Sequence, residues 1–214
     1  MITNHSSMFR LVECLTLFIL LPVSLSMPLP IWTKLAMVLV GLVYLIRIMH
    51  WGKQFSITLS VGLGNISNRY WVLLRFVTFA IASAAWVYIT NPEKLFIMPL
   101  QHTWFWVLIS VFYVVISVYP QEVIYRQFFF WRYKDLVPNQ QLFILLNASL
   151  FCLAHLMFWN NLVLVLTFLG GLLFANTYAR SQSVMTTSIE HSLYGLWLFT
   201  IGAGEMLAFP MPSS

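Results

Sequence analysis

The chain has 214 residues, of which 60% are hydrophobic and only 8% charged, against about 25% charged in an ordinary soluble domain. So few charges cannot cover the surface of a water-soluble protein of this length, which excludes a soluble globular domain. The net charge of +5 comes from basic residues scattered along the chain; this speaks against a nucleic-acid partner and fits the positive-inside bias of membrane proteins.

The apolar residues come in runs long enough to cross a bilayer, for which about 18 or more are needed. The first predicted span covers about 11–27 and ends at the breakers Pro28-Leu29-Pro30. Glu13 interrupts its apolar run and no clean small-residue cleavage site follows, so it reads as a retained helix rather than a secretory signal. The second span covers about 31–49, with Lys34 and Arg47 near its ends, where long basic side chains can snorkel to the headgroups. The segment 51–69 is too polar to span and is expected on the membrane surface. A third span runs over about 70–89 and closes at Asn91-Pro92. The fourth starts near Thr103, kinks at Pro120 and resumes through Trp131. The fifth covers about 141–158 and turns at Asn160-Asn161, the sixth reaches Tyr178, and the seventh covers about 184–209. Trp51, Trp71, Trp104, Trp131 and Trp159 fall near these ends, as an interfacial aromatic belt requires. Cys14 and Cys152 both lie in apolar runs and read as packing residues.

The expected fold is therefore all-α: a polytopic transmembrane helix bundle of about seven to eight spans, a single integral membrane domain over residues 1–214. A cytoplasmic N-terminus puts Arg10, Arg47, Lys53, Arg69, Arg126, Arg132, Lys134 and Arg180 on or toward the inner side, and only Lys34 and Lys94 clearly outside. The expected location is the plasma membrane, the inner membrane of a bacterium.

Ionisable groups at membrane depth are costly, so each needs a partner or a function. Here they are Glu122, Arg126, His155, Glu190 and His191. Counted at about 1.5 Å per residue from the helix ends, His155 sits deeper than Glu122 and His191, and helix tilt with the kink at Pro120 allows the three to meet at one buried level on three different spans. A carboxylate facing two imidazoles can hold and deprotonate a water and donate to an oxyanion, the requirements of a hydrolytic site. Glu190 neighbours His191, but adjacent helical residues point about 100° apart, so it is a secondary candidate.

The residues also carry a resemblance. Gln121-Glu122-Val123-Ile124-Tyr125-Arg126 resembles the EExxxR motif of the CAAX-protease and bacteriocin-processing family of intramembrane glutamic proteases. Phe151-Cys152-Leu153-Ala154-His155 matches its second motif, FxxxH, and His191-Ser192-Leu193-Tyr194-Gly195 resembles its third, HxxxN or HxxxB. The three stand in the family's order within 119–195. The resemblance implies hydrolysis of a peptide bond in a membrane-associated protein or peptide, in or near the bilayer, without a metal or other cofactor. On the matching positions Glu122 and His155 handle the water, His191 stabilises the oxyanion and Arg126 orients the glutamate. Two positions depart from the pattern: Gln121 cannot act as a base, and Gly195 stands where the family usually has an asparagine.

Other readings remain open. Glu122 and Arg126 are four residues apart, a spacing at which a structural ion pair forms readily. A relative without hydrolytic activity, acting as an immunity or interaction protein, would keep the same motifs. Glu122, His155 and His191 are also a ligand set for zinc, although HExxH is absent. A transporter would show paired repeats or broken helices in both halves, and only the Pro120 kink is found.

Overall fold

A computed structural model describes residues 6–53 and 66–204, with the side chains of 66–69 left out. Among the described residues every regular element is helical. The main helices are α1 (Ser7–Ser26), α2 (Ile31–Trp51), α3 (Ile66–Thr90), α4 (Thr103–Leu136), α5 (Gln140–Leu153), α6 (Asn161–Ser181) and α7 (Val184–Thr200). Among the described residues six helical segments are long and apolar enough to cross a membrane: α1, α2, α4, α6, the Tyr70–Thr90 part of α3, and α5 extended through a 3-10 turn to Phe158. The molecule is an integral membrane protein, and its exposed large residues, among them Trp32, Leu39, Val40, Ile81 and Ile89, are what hydrocarbon solvates.

Three expectations need correction. The seventh helix stops at Thr200 rather than running to 209; residues 205–209 lie outside the described residues, as does most of the 51–69 connection. At 17 residues α7 falls just short of the length of a span, so among the described residues six segments are long enough where about seven to eight spans were expected. The cause is local: Gly202 takes a left-handed φ of 84°, and Gly202 and Ala203 return their N–H groups to the Phe199 and Leu198 carbonyls, closing the helix end. The third helix starts four residues earlier than expected, at Ile66.

α4 continues through Pro120, as expected, and reaches Leu136. Proline has no N–H and its ring crowds the carbonyl four residues back. In α4 the π-helical stretch Tyr113–Val118 comes just before it, with the Tyr119 N–H reaching back five residues to Val114. The same arrangement precedes Pro22 in α1, where Thr16–Leu20 is π-helical and the Leu21 N–H bonds Thr16. A second π stretch, Val123–Phe128, follows the short α segment Tyr119–Glu122.

The chain gathers into two compact units, Met1–Leu59 with Val123–Asn176, and Ser60–Glu122 with Thr177–Ser214. In the first, Phe18 of α1 is 1% exposed. It meets Tyr125, Phe129 and Tyr133 of α4 edge-on and stacks with Phe128. Glu13, the residue that interrupts the first apolar run, is buried there. Arg132 donates to it through Nε at 2.8 Å and Nη2 at 3.3 Å, Tyr133 donates at 3.2 Å, and Tyr44 donates as well. α5 and α6 approach closely, since a β-carbon on Gly171 would press the Ala148 backbone at 3.0 Å.

In the second unit Tyr113, Val118 and Phe199 form the packed centre, flanked by Val114 and Leu196. Trp197 donates to Ser83 at 3.0 Å and Trp106 to Thr200 at 3.2 Å, fastening α7 to α3 and to the start of α4.

Candidate active site

The second unit holds the pairing of the first and third motifs. Glu122 is fully buried on the short α segment between the two π stretches of α4. His191 is the eighth residue of α7, a helix whose start is fixed by the Ser183 hydroxyl accepting the Thr186 N–H at 3.2 Å. The two side chains meet, with His191 Nδ1 2.9 Å from Glu122 Oε1. A carboxylate accepts here, so Nδ1 carries a hydrogen, and Nε2 is the nitrogen turned away from the glutamate. The Tyr113 ring stands edge-on to the imidazole, centroids 6.2 Å apart at 86°, and fixes its plane.

Gln121 turns elsewhere and donates to Ser117 Oγ one turn back in α4, at 2.9 Å. Glu190 is 2% exposed and its carboxylate lies 3.6 Å from the Arg75 guanidinium of α3. It thus neutralises a cation within the second unit. Gly195 is a close-approach glycine: a β-carbon there would collide with the Tyr113 hydroxyl and with ring carbons Cε1 and Cζ.

Arg126 and His155 belong to the first unit. Arg126 is fully buried. Its Nη1 donates to Asn147 Oδ1 at 2.7 Å, and Asn147 Nδ2 donates to the Tyr125 carbonyl at 2.7 Å. The guanidinium carbon also lies 4.8 Å from the Phe151 ring centre, a cation–π distance.

His155 departs from the position expected within a continuous helix. The α-helix ends at Leu153, and His155 has φ −95° and ψ 4° at the head of a 3-10 turn over Leu156–Phe158. That bridge conformation is sparsely populated and common among active-site residues. Its Nδ1–H donates to the Phe151 carbonyl at 2.8 Å, placing the hydrogen on Nδ1 in the neutral ring. The second motif thereby acquires a physical reading. The Phe151 carbonyl sets the histidine tautomer, and its ring packs against both His155, at 4.8 Å between centroids, and the Arg126 guanidinium. Trp159, with φ 50°, completes the turn, and Asn160 Oδ1 caps α6 by accepting from Leu162 and Val163.

Two further residues emerge only from the structure. Asn147 is the sole amide side chain within the apolar body of α5, and an amide at membrane depth is itself a signal. Tyr113 is one aromatic residue among many in its stretch, and nothing in the sequence distinguishes it. Among the described residues, no three His, Cys, Asp or Glu side chains converge as a metal ion requires.

Comparison with known families bears out the resemblance over the motif-bearing stretch. Residues 101–197 match the Rce1-like family, described as type II CAAX prenyl endopeptidase Rce1-like. All three motifs fall within that stretch. No curated protein and no solved structure matches the chain.

Proposed function

We propose that the chain is a metal-independent intramembrane endopeptidase of glutamic type, cleaving a peptide bond of a membrane-associated protein or peptide. The match to type II CAAX prenyl endopeptidases supports an intramembrane protease of the CAAX kind. The observation that carries the finer reading is the 2.9 Å contact of His191 Nδ1 with the buried Glu122 carboxylate, which pairs a base with an imidazole inside a membrane protein. Glu122 takes a proton from water as the hydroxide oxygen attacks the scissile carbonyl carbon. The carbonyl π pair moves onto oxygen, where His191 in its imidazolium form, with a hydrogen on Nε2 as well as on Nδ1, donates from Nε2. Glu122 then returns the proton to the amine as the C–N bond breaks. His155, with its tautomer set by Phe151, assists with the water, and Arg126, braced by Asn147, orients the glutamate. The substrate class that the family's description names is a prenylated CAAX tail.

A second reading has its own observation. The side chain of Gln121 is turned onto Ser117 and supplies no carboxylate, and Gly195 supplies no amide. A bundle with these changes would serve as an immunity or interaction protein.

Terminal proteomics separates the two, on cells expressing the wild-type chain, Glu122→Ala or Gln121→Glu at matched levels. The protease reading expects new protein termini with wild type that vanish with Glu122→Ala, and it names the substrates at once. Identical termini from wild type and Glu122→Ala would sink it and leave the scaffold. Termini produced by Gln121→Glu alone would mean a competent fold that lacks its base.

A further inference from the structure

Where the resemblance calls for an asparagine one turn after the third-motif histidine, this chain has Gly195. The space an asparagine side chain would enter is occupied. A β-carbon on residue 195 would collide with the hydroxyl oxygen and the neighbouring ring carbons of Tyr113. The loss of a donor on α7 therefore coincides with the arrival of a hydroxyl from α4 at the same place. The hydroxyl is well anchored. Tyr113 is 7% exposed, Phe199 packs edge-on against its ring at 4.9 Å, and the ring in turn meets His191 edge-on at 6.2 Å. All four residues, Tyr113, Glu122, His191 and Gly195, belong to the second unit.

We propose that Tyr113 is a catalytic residue whose phenolic hydroxyl donates to the oxyanion in place of the missing asparagine amide, with Gly195 retained to admit it. The inference rests on the protease reading above. It moves no atom of its own: water loses a proton to Glu122, the hydroxide attacks, and the charge that forms on the carbonyl oxygen receives the Tyr113 O–H beside His191. A rigid donor aimed at developing charge in a site shielded from water lowers the barrier without reorganising during the reaction. A tyrosine reaching in from a facing helix and an asparagine on α7 are alternative ways to present one N–H or O–H at one place. Each sterically excludes the other.

The test compares initial rates of terminus formation, by quantitative proteomics, in membranes of cells carrying each variant at matched levels of folded protein. Tyr113→Phe keeps the ring and its packing and removes only the hydroxyl. The expected result is a fall of about 100-fold, the size seen when one oxyanion donor is lost. Tyr113→Ala/Gly195→Asn moves the donor to α7 and recovers cleavage relative to Tyr113→Ala, while Tyr113→Ala/Gly195→Leu, equal in bulk without a donor, does not. Wild-type rates from Tyr113→Phe, or equal rates from the Asn and Leu double variants, overturn the inference and leave the protease reading intact. Absence of any Glu122-dependent terminus with the wild-type chain removes both.

Discussion

Arg126 and Asn147 are joined by a 2.7 Å hydrogen bond in the interior of the first unit, and the same asparagine returns its amide to the Tyr125 carbonyl beside that arginine. One amide thus satisfies a buried cation and a backbone acceptor on α4 at once. That makes Asn147 as much a part of the first motif as the residues that spell it.

Replacing it shows its weight. Asn147→Leu leaves the arginine side chain and the Tyr125 carbonyl short of a partner each, and hydrogen bonds to charged groups contribute about 1.5–3 kcal/mol. Thermal unfolding in detergent is expected to show a destabilisation of about 2–3 kcal/mol. Unchanged melting would show that this network bears no load.

The buried Glu13–Arg132 pair predicts a strongly non-additive cycle. Removing one partner strands a buried charge, which costs about 3–5 kcal/mol, whereas replacing both with apolar residues of similar volume is often nearly neutral. Arg132→Met should therefore unfold much more easily than Glu13→Leu/Arg132→Met, as followed by chemical denaturation in mixed micelles. Tyr44 and Tyr133, which also donate to Glu13, lose a partner in the double variant, so it should fall somewhat below wild type.

At Gly195 the expected effect is overpacking. Gly195→Ala drives a methyl into the Tyr113 hydroxyl and ring, and insertions into a packed interior cost about 1–3 kcal/mol. The same substitution in a Tyr113→Ala background meets open space, so its cost there should nearly vanish. Equal melting penalties in both backgrounds would disprove the close approach.

Chelation gives an independent check on the proposed chemistry. With the His191 Nδ1 hydrogen directed at Glu122 Oε1, the two groups satisfy one another and do not present a shared ligand pair. Proteolysis in isolated membranes should survive prolonged treatment with EDTA and 1,10-phenanthroline. Loss of activity restored by added zinc would require a different mechanism.

What the sequence discloses depends on where polarity changes along it. The break at Pro28-Leu29-Pro30 is written in prolines, which interrupt a helix, and the start of α6 in Asn160, whose side chain caps it; both fall where they are read. The end of α5 is different. Apart from His155 itself the residues from Leu153 to Phe158 are apolar, and neither proline nor glycine stands among them, so nothing local announces that the α-helix stops before His155. The end of α7 is written more plainly, since Gly202, Gly204 and the charged Glu205 interrupt the apolar run after Ile201, and the helix closes at the left-handed Gly202. Among the candidate residues, the meeting of Glu122 with His191 is legible as two costly groups on separate spans that need each other. The parts of Asn147 and Tyr113 are not, because their significance lies in what they touch.

The π stretches of α4 carry an implication for how such a chain can diverge. A π turn holds one residue more than an α turn, and each α-helical residue turns the chain by about 100°, so a single insertion or deletion within Tyr113–Val118 that the π geometry did not absorb would swing Glu122 a large fraction of a turn away from α7. No residue of the three motifs would change, and hydropathy would scarcely alter. Relatives carrying such an indel would read as intact by motif while the glutamate faced the wrong neighbour. The length of the segment before Pro120 is thus inherited information in its own right, as binding on this helix as the identity of the residues it aims.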